Sequence, residues 1–395
     1  MLNISIGAVL MSGSSGYSNY RHQSDILTLT RILRNNNIST KTILYDDIAY
    51  NIKNPFKGKI FNDYCHQNVY DPTLIDYSGS NTTFETLKSV FGEMADRKFD
   101  TLLLYYSDHG APGLLCIPNK CSSSIHKDIY TDDILNMLRN ASRKVKRIFV
   151  ILESCYSGSI AKEIKIPGVT ILAAANNVQS SYSKNYDDSI GTFLTNEFTS
   201  IIINLLRQIR KTDTIRDFVN NVMKMTTRSN VVCYGDTDKF NNPVEYVFGI
   251  RNVAYDASDK CYGLKTNDYV VNSYETYEFL LQKSYEKSLR IGDESMISYW
   301  ANKLDKLEEG KELSRYRLNL LNRMNYKRKD RIKKFEKYDD KLTCYKDTVL
   351  KWKQQCNSFG EFEQQHIVPK LFELCDIYVS RDIFDALDLV CNISI

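Results

Sequence analysis

The chain has 395 residues, of which 43% are hydrophobic, so it is long enough to form two domains with apolar cores. Its formal net charge of +4 gives no reason to expect a nucleic acid or a membrane surface as partner. The longest apolar runs, IFVIL and TILAAA, have the length of strands, so no membrane span is predicted. No secretory signal is visible before ISIGAVLMSG, and we expect a leader to be missing from this sequence.

The first 250 residues alternate between strand-like and helix-like patterns. The strand-like runs are nearly continuous in apolar residues: ISIGAVLMSG, TKTILYDD, DTLLLYYSD, KRIFVILES and VTILAAANN. One helical pattern has an apolar face made of Ile26, Leu27, Leu29, Ile32 and Leu33. Another begins at Thr131 as N-cap and has an apolar face made of Ile134, Leu135, Leu138 and Ala141. This alternation predicts an α/β domain with a mostly parallel central sheet flanked by helices.

Residues 251–272 form a polar stretch that we interpret as a linker. From residue 273 to 395 the apolar residues follow a helical spacing, which predicts an all-α second domain. One such stripe comprises Ile297, Ala301, Leu304 and Leu307. Within this region, residues 323–337 hold eight basic residues against two acidic ones. Such a run is usually a solvated helix face; the alternative is a surface that docks on an acidic partner, including the chain's own first domain.

Four of the ten cysteines fall in the helical region, at Cys344, Cys356, Cys375 and Cys391. An even cluster there suggests two disulfides and an oxidising compartment, and the sequence alone leaves three pairings open. Sequons that permit N-glycosylation occur at Asn3, Asn37, Asn81, Asn140 and Asn392. With only five histidines and no paired His or CxxC spacing, neither a metal site nor a cofactor is predicted.

Two of the predicted strands end in residues with catalytic chemistry. DTLLLYYSDHG delivers His109 and Gly110, and KRIFVILESC delivers Cys155. One predicted helix, from Thr131 to about residue 144, lies between the strands, so the three elements form a βαβ unit whose crossover makes the strands parallel. Because parallel strands end at the same edge of a sheet, where open α/β sheets place ligand clefts, the imidazole and the thiol are predicted to share one cleft.

A thiol and an imidazole in one cleft suit nucleophilic catalysis. A free Cys thiol has a pKa of about 8.5, so a neighbouring imidazole is needed to take its proton and return it to the leaving amine. Gly110 lets the backbone pass close to a substrate, and its N–H, with that of Cys155, is a candidate oxyanion donor. From the spacing alone, a structural Cys and a loop His are equally good interpretations.

The wording of the motifs is similar to that of legumains, the asparaginyl endopeptidases. GSSGYSNYRHQSD and YDDIAYNIKNPFKGKIFND resemble the first block of that family, YYSDHGAPGLL its His motif and ILESCYSGS its Cys motif. AANNVQSSYS resembles the strand along one wall of the specificity pocket, and CYGD at 233–236 resembles the block that closes the protease domain. The resemblance covers about residues 4–250. It implies a caspase-like fold over a protease domain of residues 1–250, and a thiol protease activity directed at Asn.

The resemblance also implies roles for individual residues. Cys155 and His109 match the catalytic dyad, and Asn19 matches a residue beside the catalytic His. The pocket for the residue before the scissile bond is matched by Arg21, His22, Glu153, Ser180, Ser181 and Asn196. In such a pocket an Arg donates to the carboxamide oxygen of a substrate Asn, and a carboxylate accepts from its NH₂ group. Asp108 matches an Asp that can cyclise to a succinimide in some members.

Asn196 departs from the pattern of the family, because legumains commonly have an acidic residue at this position. One hypothesis is that the loss of a negative charge shifts the preference from Asn partly toward Asp, above all at low pH, where a substrate Asp is neutral. The alternative is that Glu197, one position further on, takes the acidic role.

The cysteine spacing of the helical region resembles that of the legumain prodomain. This implies that Cys344 pairs with Cys375 and Cys356 with Cys391. It further implies a zymogen whose prodomain, residues 273–395, inhibits its own active site at neutral pH and leaves on acidification. Asn267 and Asn272 in the linker are candidate autoprocessing sites. Peptide or protein substrates and cystatin-type inhibitors are the expected partners, in a lysosomal, vacuolar or secreted location.

Three other functions remain open at this point. The thioester at Cys155 can be resolved by an amine instead of water, which gives a peptide ligase of the same fold. The catalytic subunit of the GPI transamidase shares the fold and the dyad but usually carries a membrane anchor and lacks the cysteine-paired helical domain. A non-catalytic binding protein could retain the scaffold; the intact Cys155, His109, Gly110 and Glu153 argue against it.

Overall fold

The computed structural model describes residues 4–118, 128–250, 269–327, 338–356, 362–378 and 380–392. The chain divides into two compact units, Met1–Thr276 and Tyr277–Ile395. Asn3 and Asn267 lie outside the described residues, as does most of the basic run at 323–337. No helix in the described ranges combines the length and the apolar character needed to cross a bilayer.

The first unit contains strands and helices in alternation. Its strands are β1 (Ile6–Ser12), β2 (Ser39–Ile43), β3 (Thr101–Ser107), β4 (Gly110–Ala111), β5 (Leu114–Leu115), β6 (Ile129–Tyr130), β7 (Arg147–Glu153), β8 (Val169–Ala173), β9 (Tyr182–Asp187), β10 (Thr192–Asn196), β11 (Val232–Gly235) and β12 (Val270–Asn272). Its helices are α1 (Tyr20–Asn35), α2 (Phe84–Asp96), α3 (Thr131–Ser142), α4 (Ser157–Ala161), α5 (Glu197–Arg207), α6 (Ile215–Met225) and α7 (Glu245–Phe248).

Six of these strands form the central sheet, in the order β11-β8-β7-β3-β1-β2. All neighbouring pairs are parallel except β8 and the edge strand β11, which are antiparallel. Every residue of β1 and β3 is buried, as expected for parallel strands that are covered by helices on both faces. The predicted α/β architecture with a mostly parallel sheet is therefore confirmed.

Two apolar clusters lie on opposite faces of the sheet. One joins the sheet to α1, α5 and α6, and it includes the predicted face of α1 at Ile26, Leu27, Leu29 and Leu33. The other joins the sheet to α2 and α3 through side chains such as Phe91 and Leu138. Because fully burying a side chain of this size is worth about 1.5–3 kcal/mol, the two clusters hold the helices on both faces of the sheet.

The start of α3 differs by one residue from the prediction. Thr131 is the first helical residue, and the N-cap is Tyr130. The Asp133 carboxylate accepts a hydrogen bond from Tyr130 N at 3.0 Å, which satisfies the backbone group before the helix. The crossover from β3 through α3 to β7 is otherwise as predicted.

The second unit is helical, which confirms the predicted all-α region. Its helices are α8 (Thr276–Ile291), α9 (Glu294–Lys327), α10 (Tyr338–Cys356), α11 (Val368–Leu374) and α12 (Ser380–Cys391), with a π-helical turn at Glu363–Ile367. Disulfides join Cys344 to Cys375 and Cys356 to Cys391, so the pairing implied by the resemblance is confirmed. Fully buried side chains such as Trp352 form the centre of this unit.

Candidate active site

His109 and Cys155 each lie two residues beyond the end of a strand, and the two strands are neighbours. In the register of β3 and β7, Ser107 pairs with Glu153, so both chains leave the sheet side by side. A hydrogen bond from Asp108 N to Glu153 O, at 3.1 Å, continues the pairing past the strand ends. Parallel β3 and β7 thus bring the imidazole and the thiol to one edge of the sheet, as the βαβ interpretation predicted.

The Cys155 side chain is completely buried. Its Sγ accepts a hydrogen bond from Ser181 N at 3.3 Å and lies 3.8 Å from Ser181 Oγ. Burial raises the pKa of the Cys155 thiol, and hydrogen bonds from Ser181 and Ser180 only partly oppose that rise. In the state described by the structure the nucleophile is therefore a neutral thiol.

The His109 imidazole is buried beside Asn19. Its Nε2 lies 3.0 Å from Asn19 Oδ1, which favours the tautomer with the proton on Nε2. Its Nδ1 is then a lone-pair acceptor, and within the described part of the chain this buried atom has no hydrogen-bond partner. Burial, and to a lesser extent the positive charge of Arg21, lower the pKa of His109 to about 3. A neutral imidazole is therefore held ready to accept a proton.

Tight turns hold both residues in place. Tyr156, directly after Cys155, has the left-handed φ of 55°, and its N donates to Gln179 O at 2.8 Å. A Cβ on Gly158 would lie 2.8 Å from the backbone of Asn176, and one on Gly110 would lie 2.8 Å from Cys155 O. Only glycine fits at these two positions, so the backbone of the two strand ends can approach closely.

A group of buried charged side chains, called the charged pocket from here on, lies next to the dyad. Arg21 is completely buried near the start of α1, and its Nε donates to Asn196 Oδ1 at 2.9 Å. The amide nitrogen of Asn196 donates in turn to Asp25 Oδ2 at 2.8 Å. Asn196 therefore joins a cation to a carboxylate, with one end of its amide turned to each.

Two buried carboxyl groups border this pocket. Glu153 Oε2 accepts hydrogen bonds from Thr199 N at 3.2 Å and Thr199 Oγ1 at 2.8 Å. The Ser181 hydroxyl also interacts with this carboxyl group, but no donor among the described residues meets Oε1 with full hydrogen-bond geometry. Burial, reinforced by the charge of Asp25, raises the pKa of Glu153 to about 8. Burial also raises the pKa of Asp25 to about 7, against the effect of its hydrogen bonds with Thr195, Asn62 and Asn196.

Glu197 points away from the pocket. Its Oε1 accepts hydrogen bonds from Thr227 N at 3.2 Å and Thr227 Oγ1 at 3.0 Å, and its Oε2 accepts one from Arg228 N at 3.2 Å. These contacts hold Glu197 against another part of the unit. Asn196, and not Glu197, faces Arg21.

A segment of the same unit covers the dyad. Strand β12 pairs antiparallel with β9, in the register Asn272 with Tyr182. The next residue, Ser273, donates from its N to Ser181 O at 3.0 Å, so it lies opposite the residue that hydrogen-bonds the thiol. The hydroxyl of buried Tyr274 then donates to Gly110 O, and it also hydrogen-bonds Cys155. Residues 270–274 therefore fill the cleft above the nucleophile.

Asn272 is not in the charged pocket. Its Oδ1 accepts a hydrogen bond from Tyr274 N at 3.0 Å, which closes a small turn at the end of β12. The amide of Asn272 is therefore occupied within its own turn and does not reach the charged pocket. The other candidate processing residue, Asn267, lies outside the described residues.

One group of side chains has the atom types of a metal site. Ligand atoms of His22, Asp108 and His109 lie within 4.8 Å of one another. The charge of Arg21 reaches all three side chains, because it lowers the pKa of each of them. A fixed positive charge at that distance opposes a divalent cation, so this group fits a proton-transfer site better than a metal centre.

The remaining predicted residues also lie at this edge of the sheet. His22 is buried, and its Nδ1 lies 2.7 Å from Ser107 Oγ. The structure adds Asp25, Tyr156 and Tyr274, which the sequence did not single out. For Asp25 a signal existed, because it follows Arg21 by four residues on the same helix face.

A buried thiol and a neutral imidazole at the ends of adjacent parallel strands form the arrangement of a cysteine hydrolase. The sequence matches the Peptidase C13 family over residues 7–250, more than half of the chain, and the chain belongs to this family.

Named relatives support this assignment. A hemoglobinase from Schistosoma mansoni is 34% identical over 247 residues, which cover 58% of this chain and 56% of the relative. A vacuolar-processing enzyme from Glycine max is 29% identical over 315 residues, which cover 71% of this chain and 62% of the relative. A legumain from Canavalia ensiformis is 28% identical over 315 residues, which cover 71% of this chain and 65% of the relative. Each match spans less than two thirds of the relative's length.

Among solved structures, caspase-1 from Spodoptera frugiperda is similar with a TM-score of 0.35 and 10% sequence identity. The similar region covers 58% of this chain and 86% of that chain.

Proposed function

We propose that the protein cleaves peptide bonds after Asn, through a thioester on Cys155, and that it is made as a zymogen. The observation that carries the specificity is the pocket between Arg21 and Glu153. Arg21 supplies N–H donors for a carboxamide oxygen, and the buried Oε1 of Glu153 supplies an acceptor for the NH₂ group. Family membership supports the peptidase reaction itself.

In the proposed mechanism Cys155 Sγ attacks the carbonyl carbon while His109 Nδ1 takes the thiol proton. The negative oxygen of the tetrahedral intermediate is stabilised by backbone N–H groups at Cys155 and Gly110. His109 then returns the proton to the leaving amine as the C–N bond breaks, and a thioester remains on Cys155. Water, deprotonated by the same imidazole, hydrolyses the thioester. Asn19 positions the ring by its contact with Nε2.

The segment at residues 270–274 supports the zymogen part of the proposal. While it lies over the cleft, no substrate can approach Cys155, because Tyr274 hydrogen-bonds both Gly110 O and the thiol. In this arrangement the side-chain oxygen of Asn272 is engaged by Tyr274 N and does not reach the proposed pocket. Processing after Asn272 therefore requires the segment to leave or to shift first.

Acid is the expected trigger for that release. His109 is surrounded by Arg21, His22, Asp108 and Tyr274, and its pKa is lowered to about 3 in the covered site. An imidazole exposed to water has a pKa of about 6.5, so the uncovered state binds a proton that the covered state does not. The covered state therefore has its full stability above pH 6.5 and loses it as the pH falls; at pH 5 the loss is about 2 kcal/mol. This agrees with an acidic compartment such as the vacuole, which the name of the relative from Glycine max supports.

Mass spectrometry of the acid-incubated protein mixed with a peptide library tests the proposal. Cuts after Asn in the library, and a self-cleavage product ending at residue 267 or 272, are the expected result. Cuts that follow another residue type, or cleavage that is equally fast at neutral pH, would contradict the specificity or the zymogen part respectively.

A further inference from the structure

The ring of Tyr274 lies in a slot with aromatic walls. Its centroid is 6.2 Å from that of His109, with the planes 22° apart, and 6.4 Å from that of Tyr156, with the planes 49° apart. Tyr274 is only 4% exposed, although its segment crosses the surface of the sheet edge. The slot therefore encloses a whole aromatic side chain directly beside the nucleophile.

The walls of this slot belong to the protease fold and not to the covering segment. His109 follows β3 and is held through Asn19. The backbone of Tyr156 is fixed on both sides, because its N donates to Gln179 O at 2.8 Å and its O accepts from Ser159 N at 2.8 Å. The slot is therefore expected to persist once Tyr274 has left.

The register of the segment shows which substrate residue would enter the slot. Ser273 N donates to Ser181 O at 3.0 Å, and Ser181 N donates to Cys155 Sγ at 3.3 Å. Ser273 is thus the residue aligned with the nucleophile, and Tyr274 is the residue that follows it. A peptide that adds to β9 in the same direction would carry the first residue after its scissile bond toward the slot.

We propose that His109 and Tyr156 form a binding subsite for an aromatic residue directly after the cleaved bond, so that the preferred substrates contain Asn followed by Phe or Tyr. The proposal rests on the function proposed above, because it assumes that Cys155 attacks the bond after Asn. Aromatic pairs gain free energy beyond simple burial, and the expected advantage over Ala at this position is about tenfold in kcat/KM. The incoming amine of a ligation reaction would occupy the same subsite.

The first experiment uses the full chain after acid incubation and a set of quenched peptides that differ only in the residue after Asn: Phe, Tyr, Leu or Ala. Phe and Tyr are expected to exceed Ala about tenfold in kcat/KM, with Leu in between. In Tyr156→Ala the ratio of Phe to Ala should fall close to one, and in Tyr156→Phe it should be retained. Tyr234→Ala is the matched control, since Tyr234 is an exposed tyrosine on β11, and it should leave the ratio as in the wild type. Equal rates for Phe and Ala in the wild type would overturn the subsite while leaving cleavage after Asn intact.

A second experiment tests the slot without any cleavage. The rate at which iodoacetamide alkylates Cys155 at neutral pH reports how often the segment leaves the cleft in the unprocessed chain. Tyr156→Ala and Tyr274→Ala should each raise this rate, and the double variant should gain less than the product of the two increases, because both remove the same ring contact. Fully multiplicative effects would overturn the slot. If no peptide is cut although Cys155 is alkylated, the proposed function is wrong. The comparison of alkylation rates among the two single variants and the double variant still tests the slot.

Discussion

The proposed specificity pocket and the cleft that contains His109 and Cys155 lie on the same edge of one sheet, but they are completed by different parts of the chain. In the pocket, Arg21, Asn196 and Asp25 are joined by hydrogen bonds of 2.9 and 2.8 Å, all within the protease fold. In the cleft, Tyr274 from the end of the same unit occupies the space above Cys155. The pocket is therefore preformed, whereas the cleft is filled by a segment that must leave before any substrate enters.

In the proposed zymogen, this difference separates the recognition of substrate from the chemistry. The residues that recognise substrate do not need to rearrange on activation, because their partners remain in place. The residues that perform chemistry are kept neutral by burial, which raises the pKa of Cys155 and lowers that of His109. Activation then requires only that residues 270–274 leave the cleft. Substitutions in the pocket should therefore change specificity or stability, and substitutions in the cleft should change the reaction rate or the access to Cys155.

The largest effect is expected from the nucleophile. Cys155→Ala should lower kcat/KM on an Asn-containing peptide about 10⁴-fold or more, because the proposed thioester forms on Cys155 Sγ. The buried site keeps its fold, so the circular dichroism spectrum and the disulfide content should not change. Cys233→Ala is the matched control, as Cys233 is a free cysteine on β11, away from the dyad, and it should retain full activity. Residual activity in Cys155→Ala would assign the chemistry to another residue.

The second effect concerns Tyr274 in the segment of residues 270–274 that fills the cleft. Truncating a buried aromatic side chain typically costs about 3–5 kcal/mol, so Tyr274→Ala should raise the rate of Cys155 alkylation at neutral pH by about 100-fold or more. Tyr274→Phe keeps the ring and loses only the hydrogen bonds of the hydroxyl, to Gly110 O and to the Cys155 thiol, so its increase should be about fivefold. Tyr277→Ala, at an exposed tyrosine three residues further on, serves as control. An alkylation rate that is unchanged in Tyr274→Ala would show that another group closes the cleft.

The third effect is the pH dependence of stability, which belongs to the pocket. Both carboxyl groups have pKa values above their usual range, Asp25 at about 7 and Glu153 at about 8, so the folded state binds more protons than the unfolded state between pH 4 and 8. The stability that these two groups contribute is therefore fully present below about pH 4 and is lost as the pH rises through this window, which is opposite in sign to the contribution of His109. Glu153→Gln removes one of the two groups and should reduce the loss between pH 5 and 8 by about 1–3 kcal/mol.

Calorimetry of the full chain in a Cys155→Ala background measures this effect without self-cleavage. Asp217→Asn is the control, because hydrogen bonds with Thr214 lower the pKa of Asp217 and it stays ionised across the whole window. A pH profile that is the same in Glu153→Gln and in the wild type would mean that Glu153 is already ionised in the folded protein.

The sequence was sufficient to predict the sheet, the parallel pair of strands and the position of His109 and Cys155 at one edge of the sheet. Buried parallel strands have continuous apolar sequences, which can be recognised directly. Because the connection from β3 through α3 to β7 makes the two strands parallel, His109 and Cys155 are expected at the same edge of the sheet. The position of Tyr274 beside Cys155 could not be predicted, because nothing in the local sequence VVNSYE indicates a contact with a residue more than 100 positions earlier in the chain. The choice between Asn196 and Glu197 was also undecided, because it depends on α5 beginning at Glu197, and helix starts are uncertain by a residue or two.

The smallest expected effect concerns Asn196, whose amide joins Arg21 to Asp25. Asn196→Asp places a carboxylate against Asp25 Oδ2, where the amide now donates, and adds negative charge beside Arg21. A substrate Asp is an anion above a pH of about 4, so it should suffer more than a neutral substrate Asn, and the ratio of Asn to Asp cleavage should rise about fivefold at pH 6. The rise should shrink toward pH 4, where a substrate Asp becomes neutral. Asn62→Asp is the matched control, since Asn62 donates to the other oxygen of Asp25 at 2.8 Å and should change stability without changing the ratio. A ratio that is the same in Asn196→Asp and in the wild type would show that the charge at this position does not set the preference.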